Sequence, residues 1–254
     1  MDKLNRNKLE YLKNTAKQIR KKILEMAINH NDGHIAPAYS TVEILICLYE
    51  NIMVEEDKFI LSKGHGCLAL YTILEYRGFC PKYSGHPDID EKNGVFCTTG
   101  SLGHGLPIAV GMALAKKHMK KNGHIFVMLG DGECQEGTTW ESLNLAKHFK
   151  LDNLTIIIDN NKFQALDSIK KIISENNLYE KFKVFGCNTY KIEGHDFNYI
   201  LKYLSKSAIK KDMPRAVIAN TVKGKGLSFM EGKPEWHSRI PEGELLKKAH
   251  EELE

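Results

Sequence analysis

Two short apolar runs, His124-Ile125-Phe126-Val127-Met128-Leu129 and Leu154-Thr155-Ile156-Ile157-Ile158, each stop at residues that are small or carry oxygen. The first gives way to Gly130-Asp131-Gly132-Glu133, the second to Asp159-Asn160-Asn161. An apolar run of this length without alternation is what a strand buried on both faces of a parallel sheet requires. Open α/β sheets place their ligand sites at the carboxyl ends of such strands. A carboxylate from one strand end and an amide oxygen from the next suit a hard cation such as Mg²⁺. The segment after Gly132 is expected to open a helix, whose N-terminus favours phosphate. The pair of strands therefore predicts a site for a metal-bridged diphosphate.

Strand and helix patterns alternate around this pair. Leu9, Leu12, Ala16, Ile19, Ile23, Met26 and Ala27 recur at helical spacing among lysines, which predicts an amphipathic helix over 5–29. A second helix is expected from Ser40 or Thr41 to about Met53, with Ser40 as N-cap and Glu43 completing a capping box. A strand at 59–61 leads through Lys63-Gly64-His65-Gly66 into a helix ending near Tyr76. Residues 80–100 read as loop, and 106–121 as a helix whose Ala109, Gly111, Ala113 and Ala115 permit close packing. Helices near 176–184 and 196–210, strands near 188–192 and 215–221 and a polar helical tail complete the pattern. The fold class is α/β, a parallel sheet with helices on both faces, forming a single domain over residues 1–254.

Composition excludes several classes. No run approaches the roughly 20 apolar residues of a membrane span, and no apolar segment follows the N-terminus as a secretory signal would. The six cysteines contain no CxxC pair, so they read as reduced thiols of a cytoplasmic protein. A net charge of +4 is a mild lysine excess, with no basic patch interleaved with aromatics to bind nucleic acid.

Gly130-Asp131-Gly132 followed by Asn161 resembles the thiamine diphosphate (ThDP) motif, and the run from Gly130 to Gly137 resembles transketolase in particular. Gly33-His34-Ile35, Ser62-Lys63-Gly64-His65-Gly66, Gly85-His86-Pro87, Thr98-Thr99-Gly100-Ser101-Leu102-Gly103-His104-Gly105, Glu193-Gly194-His195-Asp196, Lys223-Gly224-Lys225-Gly226 and Trp236-His237 occur in the order found in the N-terminal half of transketolases. The resemblance covers roughly residues 15 to 245.

It implies that the Asp131 carboxylate, the Asn161 side-chain oxygen and the Phe163 carbonyl hold Mg²⁺, with Ca²⁺ or Mn²⁺ tolerated in an all-oxygen site. It implies cofactor contacts from His65, Gly100, Leu102, Gly130, Asp131, Gly132, Glu133, Asn161 and His237. Gly100 and Leu102 would line the partner's aminopyrimidine pocket. His34, His65, His86 and His237 would point into the substrate channel, the first and third near donor hydroxyls, the others near diphosphate and thiazolium. Imidazole suits proton transfer there because it donates and accepts near neutrality. Glu136, counted with these histidines as catalytic, and Glu141 would join a carboxylate network across a subunit interface. Lys223 and Lys225 are open between phosphate binding and an ordinary basic loop. His104 stands where most full-length transketolases carry glutamine, and His195 is expected to shape the turn after its strand. His30, His118, His124, His148 and His250 read as structural or surface residues.

Two departures from the family pattern lie near the expected substrate. Ala36-Pro37-Ala38-Tyr39 replaces the usual small residues, Pro37 stiffening the loop and Tyr39 adding bulk, and Ser238 stands where glycine often follows the channel histidine. Full-length transketolases continue into a pyrimidine-binding domain that supplies the activating glutamate. The resemblance therefore implies the N-terminal subunit of a split transketolase. Such a chain would be inactive alone and would assemble into an α2β2 heterotetramer with a C-terminal subunit. The reaction would be ketol transfer between sugar phosphates. The alternatives are the α subunit of a 2-oxo acid dehydrogenase's decarboxylase component, deoxyxylulose-phosphate synthase, and a non-catalytic subunit that binds ThDP for assembly.

Overall fold

The computed structural model describes residues 4–173 and 177–254. Helix α1 (Arg6–His30) opens at Asn5, whose side chain accepts from the Lys8 N–H, and closes at Asn31 in the left-handed conformation. Its buried stripe of Leu12, Ala16, Ile19, Ile23 and Ala27 is the expected amphipathic face. Two short helices follow, α2 (Ile35–Tyr39) and α3 (Val42–Cys47), the latter continuing through a wider turn over 48–52.

The expected capping box does not form. Thr41 occupies the N-cap without a side-chain capping bond, its hydroxyl donating instead to Ala38 O at 2.8 Å. The Ser40 hydroxyl donates to Pro37 O at 3.0 Å and to Asp159 Oδ2 at 2.7 Å. Glu43 is drawn to the Arg20 guanidinium at 2.7 Å and to His195 at 2.9 Å. A buried carboxylate beside a buried cation gains more from that pairing than from a local cap.

Next come β1 (Lys58–Leu61), α4 (Cys67–Tyr76), a long loop, α5 (Gly105–His118), β2 (Ile125–Gly130), α6 (Gly137–His148) and β3 (Leu154–Asn160). The chain closes with α7 (Ile169–Ile172), α8 (Leu178–Val184), β4 (Asn188–Glu193), α9 (Phe197–Leu204), β5 (Arg215–Asn220) and α10 (Gly243–Glu252). Several boundaries differ from expectation, and α5 stops at His118 rather than at 121. The segment after Gly132 is a tight 3₁₀ turn to Gln135, and α6 begins only at Gly137. Helix α8 starts at Leu178, residue 176 lying outside the described residues, and α9 stops at Leu204 because Ser205 turns extended.

The five strands pair in the order β1-β2-β3-β5-β4, all parallel. Side chains alternate between two cores. Phe126, Met128, Ile157 and Val217 face the layer of α1, α3, α4 and α9. Val127, Leu129, Ile156, Ile158 and Ile218 face α5, α6 and α8. This is the covered parallel sheet that the two apolar runs require. Five of the six cysteines are buried and Cys80 is exposed. No helix among the described residues is long and apolar enough to cross a membrane.

At the amino end of β2, His124 is buried, and its Nε2 lies 2.6 Å from Thr155 Oγ1, which also accepts from Arg215 Nε at 3.0 Å. Burial, reinforced by the Arg215 and Lys206 charges, pushes its pKa down to about 3. The unfolded chain therefore takes up this proton near pH 6.5 while the folded chain does not, and stability falls as pH drops below 6.5. The loss from this one residue is about 2 kcal/mol between pH 7 and pH 5. Urea unfolding at the two pH values should show a smaller loss in His124→Gln by about that amount, and equal losses in the two proteins would refute the assignment.

Candidate active site

Four strand ends converge. β1 delivers Ser62 and Lys63, β2 Asp131, β3 Asp159 and Asn161, and β5 Thr221 and Lys223. Register sets Gly130 beside Asp159 and Asn160 beside Asn220. The Lys63 ammonium pairs with Asp159 Oδ2 and donates to Pro37 O at 2.9 Å, with Lys63 1% and Asp159 0% exposed. Asp159 also accepts from Ser40, Thr221 and, at 3.0 Å, Asn161 Nδ2. Burial works to raise its pKa, but the Lys63 charge and these donors hold it below the ordinary carboxylate value.

Asp131 is also buried, without a cationic side chain bonded to it. Its Oδ1 accepts from the Gly132 N–H at 2.9 Å and its Oδ2 from the Lys162 N–H at 2.6 Å. Burial, then the neighbouring Asp159 charge, pushes its pKa up to about 7. Asn161 Oδ1 accepts from the Phe163 N–H at 3.0 Å, so Asp131 and the 161–163 turn are tied together through backbone. Among the described residues no three His, Cys, Asp or Glu side chains gather as metal ligands. The set here has one carboxylate, one amide oxygen and one backbone carbonyl. This oxygen donor set, around an under-compensated buried carboxylate, fits a hard divalent cation.

Glu133 cross-braces the site. Its carboxylate accepts from the Ser62 hydroxyl, the Gly103 N–H at 2.9 Å and the Gly130 N–H at 3.1 Å, which joins the β1 end, the β2 turn and the 98–105 loop. Three internal donors make it a strut for the residues expected around the cofactor. This folding-back of Asp131 and Glu133 onto backbone N–H groups is what tightens the turn after β2 and delays α6.

The four motif histidines come together from four loops. Ring centroids lie 5.2 Å apart for His65 and His237, 5.6 Å for His34 and His237, 6.1 Å for His34 and His65, and 6.2 Å for His34 and His86. Burial, followed by the charges of Lys63 and nearby histidines, drives His65 well below its ordinary pKa. Burial and the Lys223 charge bring His237 down to about 3. Lys223 Nζ lies 2.8 Å from His237 Nδ1 and donates to Gln164 O at 2.8 Å. An ammonium only donates, so His237 Nδ1 accepts and its ring proton sits on Nε2. Lys223 is thus buried and holds a histidine, whereas Lys225 pairs with Glu231 at 3.2 Å.

The remaining candidates fall around this cluster. Gly100, at φ 145°, lies under the His86 ring, where a Cβ would approach Cδ2 to 3.1 Å. Leu102, His104, Glu136 and Glu141 are exposed, the first three around the Gly103 loop and the last on α6. His195 bridges Glu43 and, through Nε2 at 2.8 Å, the Val222 N–H, so it does fix the turn after β4. Tyr39 does not add bulk to the channel. It is fully buried in α2 and its hydroxyl donates to Arg20 O at 2.7 Å, while Pro37 O accepts from Lys63 and Ala36 O from the Gly224 N–H at 3.0 Å. Beside Ser238, the Arg239 N–H donates to Gly33 O at 2.9 Å, and a Cβ on Gly33 would lie 2.4 Å from that nitrogen. Only glycine lets the His34 and His237 loops approach so closely. Sequence reading missed Lys63, Asp159 and Asp32 as site-forming residues. Lys63 and Asp159 stand next to motif positions, and that adjacency was the available signal.

The sequence model of the family described as transketolase, thiamine diphosphate binding domain, matches residues 13–251. The chain belongs to this family. Among its relatives within the transketolases is an apulose-4-phosphate transketolase subunit from Actinobacillus succinogenes, 39% identical across 95% of each chain. The 6-deoxy-6-sulfo-D-fructose transketolase subunit SqwG of a Clostridium species is 34% identical across 96% of each. The crystal structure of transketolase from Campylobacter jejuni superposes with a TM-score of 0.86 at 29% identity, covering 96% of this chain and 43% of that one. The chain therefore has the transketolase ThDP-domain fold and spans about two-fifths of that solved transketolase.

Proposed function

We propose that this chain is the ThDP-binding subunit of a two-subunit transketolase, which moves a two-carbon ketol unit from a ketose phosphate to an aldose phosphate. The observation that carries this reading is the four-histidine cluster beside the Asp131–Asn161 strand ends. Asp131, Asn161 and the Phe163 carbonyl would hold Mg²⁺, and His65, Gly100, Leu102, Gly130, Gly132 and His237 would border the cofactor, with Glu133 bracing them. When bound, ThDP supplies the nucleophilic carbon and the electron sink for C–C cleavage.

The protein's own part is to bind, orient and move protons. His237, fixed with its proton on Nε2, presents a donor. His65 stays a neutral imidazole beside it. His34 and His86 face substrate hydroxyls, and exposed Glu136 and Glu141 meet the second subunit. The names of the apulose and sulfofructose relatives, each one component of a transketolase, support an obligatory partner and an uncommon sugar as donor. An α2β2 assembly in the cytoplasm and a single-domain chain complete the reading.

The test is ketol transfer from xylulose 5-phosphate to ribose 5-phosphate, then from apulose 4-phosphate and 6-deoxy-6-sulfofructose, with ThDP and Mg²⁺ and with or without a candidate second subunit. Turnover is expected only from the pair. Robust turnover by the chain alone would sink the two-subunit reading. A pair that assembles and binds ThDP yet turns over no donor would favour the non-catalytic role.

A further inference from the structure

Asp32 follows the end of α1 and stands two residues before His34. Its Oδ1 accepts from the His34 backbone N–H at 2.9 Å and lies 2.7 Å from His34 Nδ1. Its Oδ2 accepts the Tyr83 hydroxyl and has the Cys67 thiol 4.0 Å away. Tyr83 is itself held, stacked on His30 with 3.9 Å between centroids and leaning on Tyr71 at 5.5 Å. Burial acts to raise the Asp32 pKa, but the hydrogen bonds from His34 and Tyr83 outweigh it and bring it to about 2. Asp32 is therefore a carboxylate, with no proton to give.

A carboxylate facing an imidazole nitrogen at 2.7 Å requires that nitrogen to carry the hydrogen. Nδ1 of His34 is protonated whether the ring is neutral or charged. In the neutral ring Nε2 is then the lone-pair nitrogen. At His237 the arrangement is reversed, because Lys223 occupies Nδ1 as a donor. Two rings whose centroids lie 5.6 Å apart thus carry opposite tautomers, each set by a buried charged group behind it.

We propose that Asp32, braced by Tyr83, is a positioning residue that fixes His34 as the Nδ1–H tautomer and makes its Nε2 the proton acceptor of the cluster, opposite a donating His237. The acceptor role rests on the ketol-transfer reading, and the tautomer does not. In the reaction, Nε2 of His34 takes the proton of a substrate hydroxyl. The O–H electron pair becomes the carbonyl π bond of the departing aldose, while the C–C pair stays with the two-carbon fragment. The imidazolium left behind is neutralised by Asp32, already hydrogen-bonded to it. The groups that face His34 are Asp32 and the rings of His65, His86 and His237, and those behind Asp32 are Tyr83 and Cys67, with Lys63 and Lys223 beyond His65 and His237.

Long-range ¹H–¹⁵N correlation spectra of the histidine-labelled chain, assigned with His34→Gln, read the tautomers directly and need neither cofactor nor partner. The native chain should show Nδ1–H for His34 and Nε2–H for His237. Asp32→Leu, which leaves Nδ1 without an acceptor at Oδ1, should shift His34 toward Nε2–H, while Tyr83→Phe keeps the native tautomer. In the assembled pair, Asp32→Leu should lower kcat roughly 10- to 100-fold with little change in KM. An Nε2–H His34 in the native chain overturns the proposal even if Asp32→Leu does not fold. So does an unchanged tautomer in a folded Asp32→Leu, or a pair that keeps native kcat. A locked tautomer in a pair with no ketol transfer would instead count against the transketolase reading alone.

Discussion

Asp131→Ala should abolish Mg²⁺-dependent ThDP binding while leaving the chain folded. Asp131 is the one carboxylate in the proposed oxygen set, and among the described residues it is buried with two backbone N–H groups bonded to it. A metal ion held by this carboxylate would contribute several kcal/mol to diphosphate binding, so losing Asp131 should weaken cofactor binding by about 100-fold or more. The folded chain without ligand loses little. Burial and Asp159 already oppose the Asp131 charge, and removing an under-compensated buried charge relieves a penalty. The signature is a melting temperature that is unchanged or raised without ligand, together with loss of the rise that ThDP and Mg²⁺ give. That rise corresponds to about 2.7 kcal/mol when ligand stands at 100 times Kd. Asp131→Asn should behave similarly, because an amide that replaces one acceptor turns a donor toward the Gly132 or Lys162 N–H. The measurement is thermal unfolding and calorimetric titration of the chain and of the assembled pair. Undiminished metal-dependent ThDP binding in Asp131→Ala would remove this residue from the metal site.

The contrast between Asp131 and Asp159 shows what sequence reveals and what it conceals. Both follow apolar runs that predicted β2 and β3, and periodicity located those strands to within two residues. The fold class, the order of elements and the histidines at loop ends were legible because each depends on local pattern or on a motif. The partners of the charged residues were not. Lys63 reaches Asp159 across 96 residues, Glu43 reaches His195 across 152, and Glu133 reaches Ser62 across 71. Such pairings depend on strand order, which no local signal encodes. The same blindness explains Ser40, Glu43 and Tyr39. Each carries a correct local signal, two for a helix cap and one for a bulky loop, and in each case a buried tertiary partner wins. Asp32 escaped notice because Asn31-Asp32-Gly33 reads as a helix stop, which it also is.

Lys63→Met should destabilise the chain by about 3–5 kcal/mol, a large share of what holds a domain of this size together. The ammonium is 1% exposed, and its partner Asp159 is fully buried among Ser40, Thr221 and Asn161. Without Lys63 the hydroxyl and amide donors remain and the Lys223 charge still acts on Asp159 through space, but the carboxylate loses its bonded countercharge and stays out of reach of water. Methionine fills most of the volume, so a cavity contributes little and the loss reports the stranded charge. Pro37 O also loses its Lys63 donor and keeps only the Ser40 hydroxyl, which loosens the tie between α2 and the end of β1. The double variant Lys63→Met/Asp159→Asn removes the charge as well and should recover more than half of the loss. The pair would then show a coupling energy of roughly 2 kcal/mol or more in a double-mutant cycle. Recovery of stability need not restore cofactor binding, because Asp159 also positions Asn161 through the 3.0 Å bond to its Nδ2. Chemical denaturation of the two single variants and the double variant decides the matter. Additive losses would mean that Lys63 and Asp159 stabilise the fold independently, and that the β1 and β3 ends are held together by the sheet rather than by this ion pair.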